Sequence, residues 1–403
     1  MKRRGLLFTL FVVFLFSLAV AGISVPQEAQ AARMIKLGAA LPLTGPLATE
    51  GKKQRAGYEI WRERVNAQGG VNVGGKKMKV KIIYFDYESK TPTATKLAER
   101  LITREKVDLI LGPFGSGATK SVGAITERYQ IPMIAPVASS GPIFNQGYKY
   151  MFGLLAPNSF LPNNFFALLK KQNPRPKTMA FATRNDFFPR YITKAIRSQA
   201  KKHGFTDVYY AEFPKDSKDH STWLTIVKSK KPDVLMIAGY LPDSLLATKQ
   251  ANELGVKPKI LFTMVGPVYS QFTDALGSTA NNILTAAWWG EALDYKGDFI
   301  GSASDFGKIW RKKFGKEPDY VAAASTAAGI VAQRAFEAAG SLNKKKVRDA
   351  IANTNLQTFF GPVKFDKRGQ NTASAIVLFQ VQGGKRKTVW PPSVANSAFK
   401  YPR

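Results

Sequence analysis

The 403-residue sequence contains no cysteine. That absence excludes a disulfide framework, a cysteine nucleophile, a thiolate zinc site and a lipid-modified N-terminal cysteine. Histidine is nearly as scarce, with only His203 and His220, too few for a multi-histidine metal centre. Both lie in Lys-rich stretches and read as surface residues rather than as a catalytic base. Acids are few beside bases, 28 against 59, for a net charge of +31. The lysines are scattered in short runs at turns and helix starts, such as Lys76-Lys77, Lys344 to Lys346 and Lys385 to Lys387. They read first as a solvated basic surface and second as attraction to an anionic ligand or membrane face. No nucleic-acid reader motif accompanies them, so nucleic acid is not an expected partner.

Long apolar runs are also missing, except at the start. Lys2, Arg3 and Arg4 precede an apolar stretch from Leu6 to Ala21, and Ala29-Gln30-Ala31 forms a small-x-small cleavage site. This order reads as a secretory signal peptide over residues 1–31. A membrane anchor needs about 18 or more apolar residues, and Gly22, Ser24 and Pro26 intervene too soon. Cleavage removes three bases and one acid and leaves a charge of +29. The expected mature protein is soluble, periplasmic and without a lipid anchor.

Strand-like and helix-like patterns then alternate. Ile35 to Leu41, Val80 to Tyr84, Leu109 to Leu111 and Pro132 to Pro136 read as strands. Gly51 to Ala67, Thr91 to Glu105 and Ser116 to Tyr129 read as the helices between them. The alternation restarts at Ser159 and continues through strands at Thr178, Val208, Val234, Ile260 and Ile283. Strands separated by helices imply parallel pairing with right-handed crossovers. The predicted fold is α/β, with two doubly wound lobes sharing a cleft.

Enzyme signatures are mostly absent. Gly45 to Lys53 has five residues between its glycines, not four, and Lys53 stands where a P-loop needs Ser or Thr for magnesium. Gly112 to Gly117 has the wrong glycine order for a dinucleotide loop and is no nucleophile elbow. No cofactor is expected. The informative segment is Leu109 to Ser140. A strand ends at Leu111, and Ser116 opens a helix whose N-terminus offers free N–H groups and positive dipole charge. One strand later, Val137-Ala138-Ser139-Ser140 forms a second hydroxyl-bearing loop. Such loops meet at the cleft edge of a parallel sheet and suit a carboxylate. The alternative, that Ser116 and Ser139 merely cap helices, has equal weight on spacing alone.

Five segments follow one another along the chain: Pro42 to Pro46, Val65 to Val71, Leu111-Gly112-Pro113 with Ser116, Ile131-Pro132 through Ser139, and Gly361-Pro362-Val363 with Phe365-Asp366. In these, and in their order, the chain resembles the leucine/isoleucine/valine-binding family, the type I periplasmic binding proteins of ABC transporters. The resemblance implies two lobes joined by a three-segment hinge, with crossings near Ala156, Ala286 and Phe360. The N-terminal lobe is then 32–156 plus 286–360 and the C-terminal lobe 157–285 plus 361–403. It also implies a monomer that captures an amino acid or related carboxylate or amide and delivers it to an inner-membrane ABC permease. A sensing module for a membrane kinase and a secreted hydrolase are the other readings.

Residue by residue, the resemblance places the carboxylate grip on Ser116, Ser139 and the backbone at Val137. It places a tyrosine on Tyr240 and a second ring on Phe187, which lacks the hydroxyl. The acids that hold an α-ammonium fall on Asn158 and near Val265, neither of which is acidic. A buried ammonium without a carboxylate costs several kcal/mol. The expected ligand therefore lacks an α-ammonium group. Glu50, in the first cleft loop, and Asp186 read first as solvated acids and second as ligand contacts. Arg184 is a candidate second grip on an anion. The pair Trp288-Trp289 either floors the pocket or packs the hinge.

Overall fold

The computed structural model describes residues 33–403, so the expected export signal lies outside the described residues. Five parallel strands form a first sheet in the spatial order Val80–Asp86, Ile35–Leu41, Leu109–Leu111, Met133–Ala135, Met151–Gly153. The chain thus starts near the middle, steps to one side, then returns and builds outward on the other. That reversal makes a switch point between Ile35–Leu41 and Leu109–Leu111, where two loops part at the carboxyl ends of the strands. Strands with helices on both faces need apolar residues on both sides, and Ile-Leu-rich runs such as Leu109–Leu111 are fully buried.

Helices α1 (Ala48–Ala67), α2 (Thr91–Thr103) and α3 (Ser116–Arg128) connect these strands. The α2 and α3 helices pack together on one face around Leu101, Ile110 and Val122. On the other face α1 packs against a helix from late in the chain, Tyr320–Ala339, which is buried along most of its length. Its small residues allow the close approach. A methyl group at Gly329 would lie 2.2 Å from the Trp61 ring, so only glycine fits there.

The second sheet repeats the arrangement. Its parallel strands run Thr206–Phe213, Thr178–Arg184, Val234–Ala238, Ile260–Thr263, Leu284–Ala287, the same reversed order. Its switch point lies between Thr178–Arg184 and Val234–Ala238. The helices are α4 (Leu161–Lys170), α5 (Phe187–Ala200), α6 (Ser221–Lys230), α7 (Leu241–Glu253) and α8 (Ser270–Leu276), followed by α9 (Ala303–Phe314) and α10, the Tyr320–Ala339 helix. The antiparallel strands Val377–Gln382 and Lys385–Trp390 complete the sheet. A single parallel bridge, Gly153 to Gln370, adds a contact at the edge of the first sheet.

The structure departs from the sequence reading in three instructive places. The basic run at Lys385 begins an edge strand, not a turn. Lysines along an exposed edge discourage pairing with other chains, and this masks the strand pattern. Met151–Gly153 is a strand of three residues, too short to show a period. His220 is buried, not exposed. Its Nδ1 accepts a hydrogen bond from Trp223 Nε1 at 3.2 Å, and the Phe213 ring lies 4.6 Å away. Burial disfavours the imidazolium and lowers the His220 pKa to about 4.

The two tryptophans after strand Leu284–Ala287 each donate to a backbone carbonyl far away in the chain. Trp288 Nε1 donates to the Ala156 carbonyl at 2.9 Å, and Trp289 Nε1 donates to the Phe359 carbonyl at 3.0 Å. Both rings are buried and packed against backbone. Trp288 also lines the cavity described below.

Candidate functional site

The two switch points face each other. The loop after Leu111 places Phe114, Gly115 and Ser116 against Tyr240, which follows strand Val234–Ala238 of the second sheet. The Phe114 and Tyr240 rings lie 5.7 Å apart. Gly115 has φ 82°, in the left-handed region that glycine adopts without strain. A Cβ there would lie 3.5 Å from the Tyr240 hydroxyl. Together these residues, with Val137, Ser139, Leu155, Phe188, Val265, Trp288 and Tyr320, enclose a cavity of about 10 Å³. That is room for about one water in the conformation described. A wider mouth of about 290 Å³ shares Phe114, Gly115 and Tyr240 with it and extends to Leu47, Tyr87, Lys90, Arg184, Asp186 and Lys215.

At the inner end, the first residue of α3 joins the two hydroxyl loops. Ser116 Oγ accepts hydrogen bonds from the Ser139 N–H at 3.4 Å and the Ser140 N–H at 3.3 Å. These bonds are long, so the donors are only weakly satisfied. Asn158 braces the same loop from behind. Its N–H donates to the Ser139 carbonyl at 3.0 Å, its Nδ2 reaches Ser140 Oγ at 3.5 Å, and its Oδ1 has no partner. Gln370, contributed from near the end of the chain, donates to the Ser139 carbonyl at 3.2 Å.

The second lobe supplies rings and a buried ion pair. Phe188 lines the inner cavity and stacks near Tyr240 at 6.1 Å. Phe187, the residue expected from the sequence, is half-buried and does not line that cavity. Its ring instead faces Lys120 and the outer groove along α5. The register slips by one because α5 starts at Phe187, so Phe188 falls on the inward helical face. Arg184 Nη1 holds the Asp243 carboxylate at 3.0 and 3.1 Å, and Asp243 also accepts from the Tyr240 N–H at 2.8 Å. Burial raises the Asp243 pKa, and the Arg184 charge opposes that rise. Asp186 caps α5 through the Phe187 N–H and lies near Arg184 and Lys215. Arg184 is thus committed to two acids of its own lobe.

Glu50 overturns its first reading. It is not solvated: it is fully buried in the first turn of α1, and neither carboxylate oxygen has a hydrogen-bond partner. Desolvation drives its pKa up to about 7. The N–H groups of Glu50 itself and of Leu241 in the opposite lobe are turned toward it, and Lys53 partly offsets the effect. Lys53 is itself paired with Asp319 at 2.5 Å.

Val265, where the resemblance expected an acid, is the centre of a γ-turn. It has φ 69° and ψ −45°, and the Gly266 N–H donates to the Met264 carbonyl at 2.8 Å. A β-branched residue in this conformation costs on the order of 1–3 kcal/mol. The strain holds an apolar side chain in the cavity wall.

Tyr320, Phe114, Phe188 and Leu155 are lining residues that sequence reasoning missed. Tyr320 is some two hundred positions from the serine loops, and nothing local marks it. The others lie within one or two residues of singled-out positions, within the error of placing a loop.

A model of the family described as "Periplasmic binding protein" matches residues 34–386. A Leu/Ile/Val-binding protein homolog 7 of Brucella melitensis is 27% identical, covering 96% of this chain and 99% of its own. The branched-chain amino acid transporter substrate binding protein of Streptococcus pneumoniae, solved in complex with isoleucine, superposes with a TM-score of 0.79 at 23% identity. That match covers 89% of this chain and all of the other. A solute binding protein of an ABC transporter from R. palustris, solved in complex with benzoate, gives 0.78 at 21%, covering 91% and 98%. Two doubly wound lobes, facing switch points and a match along nearly the whole described chain place this protein in the periplasmic binding protein family.

Proposed function

We propose that this protein captures a small carboxylate solute between its two switch points and delivers it to an ABC permease in the membrane. The observation that carries this reading is the Ser116 junction. A helix N-terminus, a hydroxyl and two weakly satisfied N–H groups converge on the wall of an inter-lobe cavity. A carboxylate seated there gains charge-assisted hydrogen bonds of about 1.5–3 kcal/mol each. Isoleucine and benzoate, the ligands named for two of the structural neighbours, have a carboxylate in common.

The small inner cavity makes lobe opening part of the cycle: the solute enters an open cleft, and closure presents a joined face to the permease. The lobe division expected above is retained with one change. The Gly153–Gln370 bridge and the bond from Asn371 Nδ2 to the Leu154 carbonyl support a third crossing beyond Asn371 rather than at Phe360. Among the described residues no helix is long and apolar enough to cross a membrane. In this reading the protein is exported and works outside the inner membrane as a monomer, binding solute without chemical turnover.

The test is calorimetry on a carboxylate panel with wild type, Ser116→Ala and Ser139→Ala. Each substitution should weaken binding about tenfold or more, the scale of one lost charge-assisted bond. Unchanged affinity would remove the serines from the site. Co-purification with an inner-membrane ABC permease tests delivery.

A further inference from the structure

The cleft holds one charge that the carboxylate reading leaves unused. Asp319 is closed on Lys53 and on the Val321 and Ala322 N–H groups. Asp243 is closed on Arg184, and Asp186 on its own helix cap with Lys215 nearby. Each of these acids has compensation. Glu50 has the least: it is fully buried with no hydrogen-bond partner, and only two nearby N–H groups and the Lys53 charge offset its burial.

Its place in the fold is equally specific. Glu50 and Ser116 open the two helices that leave the two loops of the first sheet's switch point. Leu47, just before Glu50, lines the mouth, and Lys53, one turn after it, pairs with Asp319 beside the cavity-lining Tyr320, so the first turn of α1 runs between the two spaces. Leu241, across the seam, presents its N–H to the same carboxyl. Opening the lobes therefore uncovers it.

The charges can be balanced. Lys53 and Asp319 cancel. A ligand carboxylate on the serine loops adds one negative charge, and an ionised Glu50 adds another. A second anion in a desolvated site needs a cation. The walls next to the serines supply no carboxylate for one, because Phe114, Val137, Leu155, Val265 and Trp288 are aromatic or aliphatic and offer at most the faces of their rings.

We propose that Glu50 is the specificity-determining residue of the cleft: it takes a cationic nitrogen of the ligand, carried on an apolar or aromatic spacer away from the carboxylate that the serine loops hold. The ligand class is then a small ω-ammonium carboxylate, neither an α-amino acid nor a plain fatty or aromatic acid. This assignment rests on the carboxylate-capture reading. It also turns an unpartnered buried acid, costly in an otherwise well-packed seam, into half of an ion pair that the ligand completes.

The experiment is calorimetry with three groups of probes. The first is 5-aminopentanoate and 4-(aminomethyl)benzoate. The second is their shape-matched neutral partners, hexanoate and 4-ethylbenzoate. The third is leucine and valine. Wild type should bind the first group about 30-fold tighter than the second, the scale of one charge-assisted bond. Glu50→Gln should bring that ratio to within about threefold of one. A wild-type ratio near one, or a ratio that Glu50→Gln leaves intact, overturns the assignment while carboxylate capture stands. Tight binding of leucine or valine, with Glu50→Gln indifferent, overturns it in the same way. If no probe of any group binds, the carboxylate reading itself has failed. Far-UV circular dichroism checks the variant's fold, and should the variant not fold, the wild-type ratio alone decides.

Discussion

The two switch points have the same topology and opposite electrostatics. In the second lobe the buried guanidinium of Arg184 meets the Asp243 carboxylate at two distances near 3 Å, a backbone N–H adds a third bond to that carboxylate, and the guanidinium Nε, without a hydrogen bond, lies 3.7 Å from Asp186. In the first lobe the buried carboxyl of Glu50 has no hydrogen-bond partner, and only the N–H groups of Glu50 and Leu241 and the Lys53 charge offset its burial. A buried ion pair is tolerable only when its hydrogen bonds are complete, and an isolated buried acid tends to take up a proton instead. One fold therefore carries a closed charge on one side of the cleft and an open one on the other. The closed charge is scaffolding for Tyr240 and α7. The open charge awaits a partner.

Removing either half of the closed charge should have the largest effect. Arg184→Met or Asp243→Ala should each cost about 3–5 kcal/mol in urea unfolding, because the remaining charge is buried and unpaired. A loss under about 1 kcal/mol would mean that the second switch point is as open as the first.

Glu50→Gln should act in the opposite direction. A carboxyl whose folded pKa is about 7, against an ordinary 4.5, binds its proton more tightly in the folded state. Stability from this group is fully present below pH 4.5 and is lost as pH rises through 7. The variant should therefore gain up to about 3 kcal/mol over wild type at pH 8 and nothing at pH 4. A pH-independent difference would contradict the burial of an unpaired acid.

His220, buried in the second lobe away from the cleft, provides a control of reversed sign. Its pKa is held near 4, below the ordinary 6.5, so its contribution is present above pH 6.5 and lost as pH falls through 4. Wild type should lose about 3 kcal/mol over that range from this group, and His220→Gln should flatten the loss.

The smallest effect separates adjacent rings. Phe188→Ala should weaken carboxylate binding several-fold, while Phe187→Ala should change it by less than about twofold, since only Phe188 lines the inner cavity. Equal effects would shift the cavity wall toward the outer groove.

Much of the fold was legible because its signals are local. The strand Ile35–Leu41, the buried run Leu109–Leu111 and the helix opening at Ser116 follow from apolar periodicity and a Gly/Ser loop. The repeat of alternating elements after Ser159 announced a second lobe. The Ser116–Ser139 pairing was legible too, because consecutive parallel strands bring their loops to one edge. Phe187 was misplaced because the identity of a lining residue depends on where a helix starts, and an uncertainty of one residue turns a side chain by about 100°.

The sequence by itself determined the alternation of layers, the parallel pairing of strands joined by helical crossovers and the lack of residues for a disulfide, a thiolate site or a multi-histidine centre. Those properties depend on neighbours a few residues apart and on composition. Only the tertiary structure decided which charges are satisfied. Lys53 and Asp319 lie far apart along the chain, as do Arg184 and Asp243, and pairing depends on which helix N-termini meet across the cleft. Burial of a charge is a property of the assembled walls around it, and no window of sequence contains those walls.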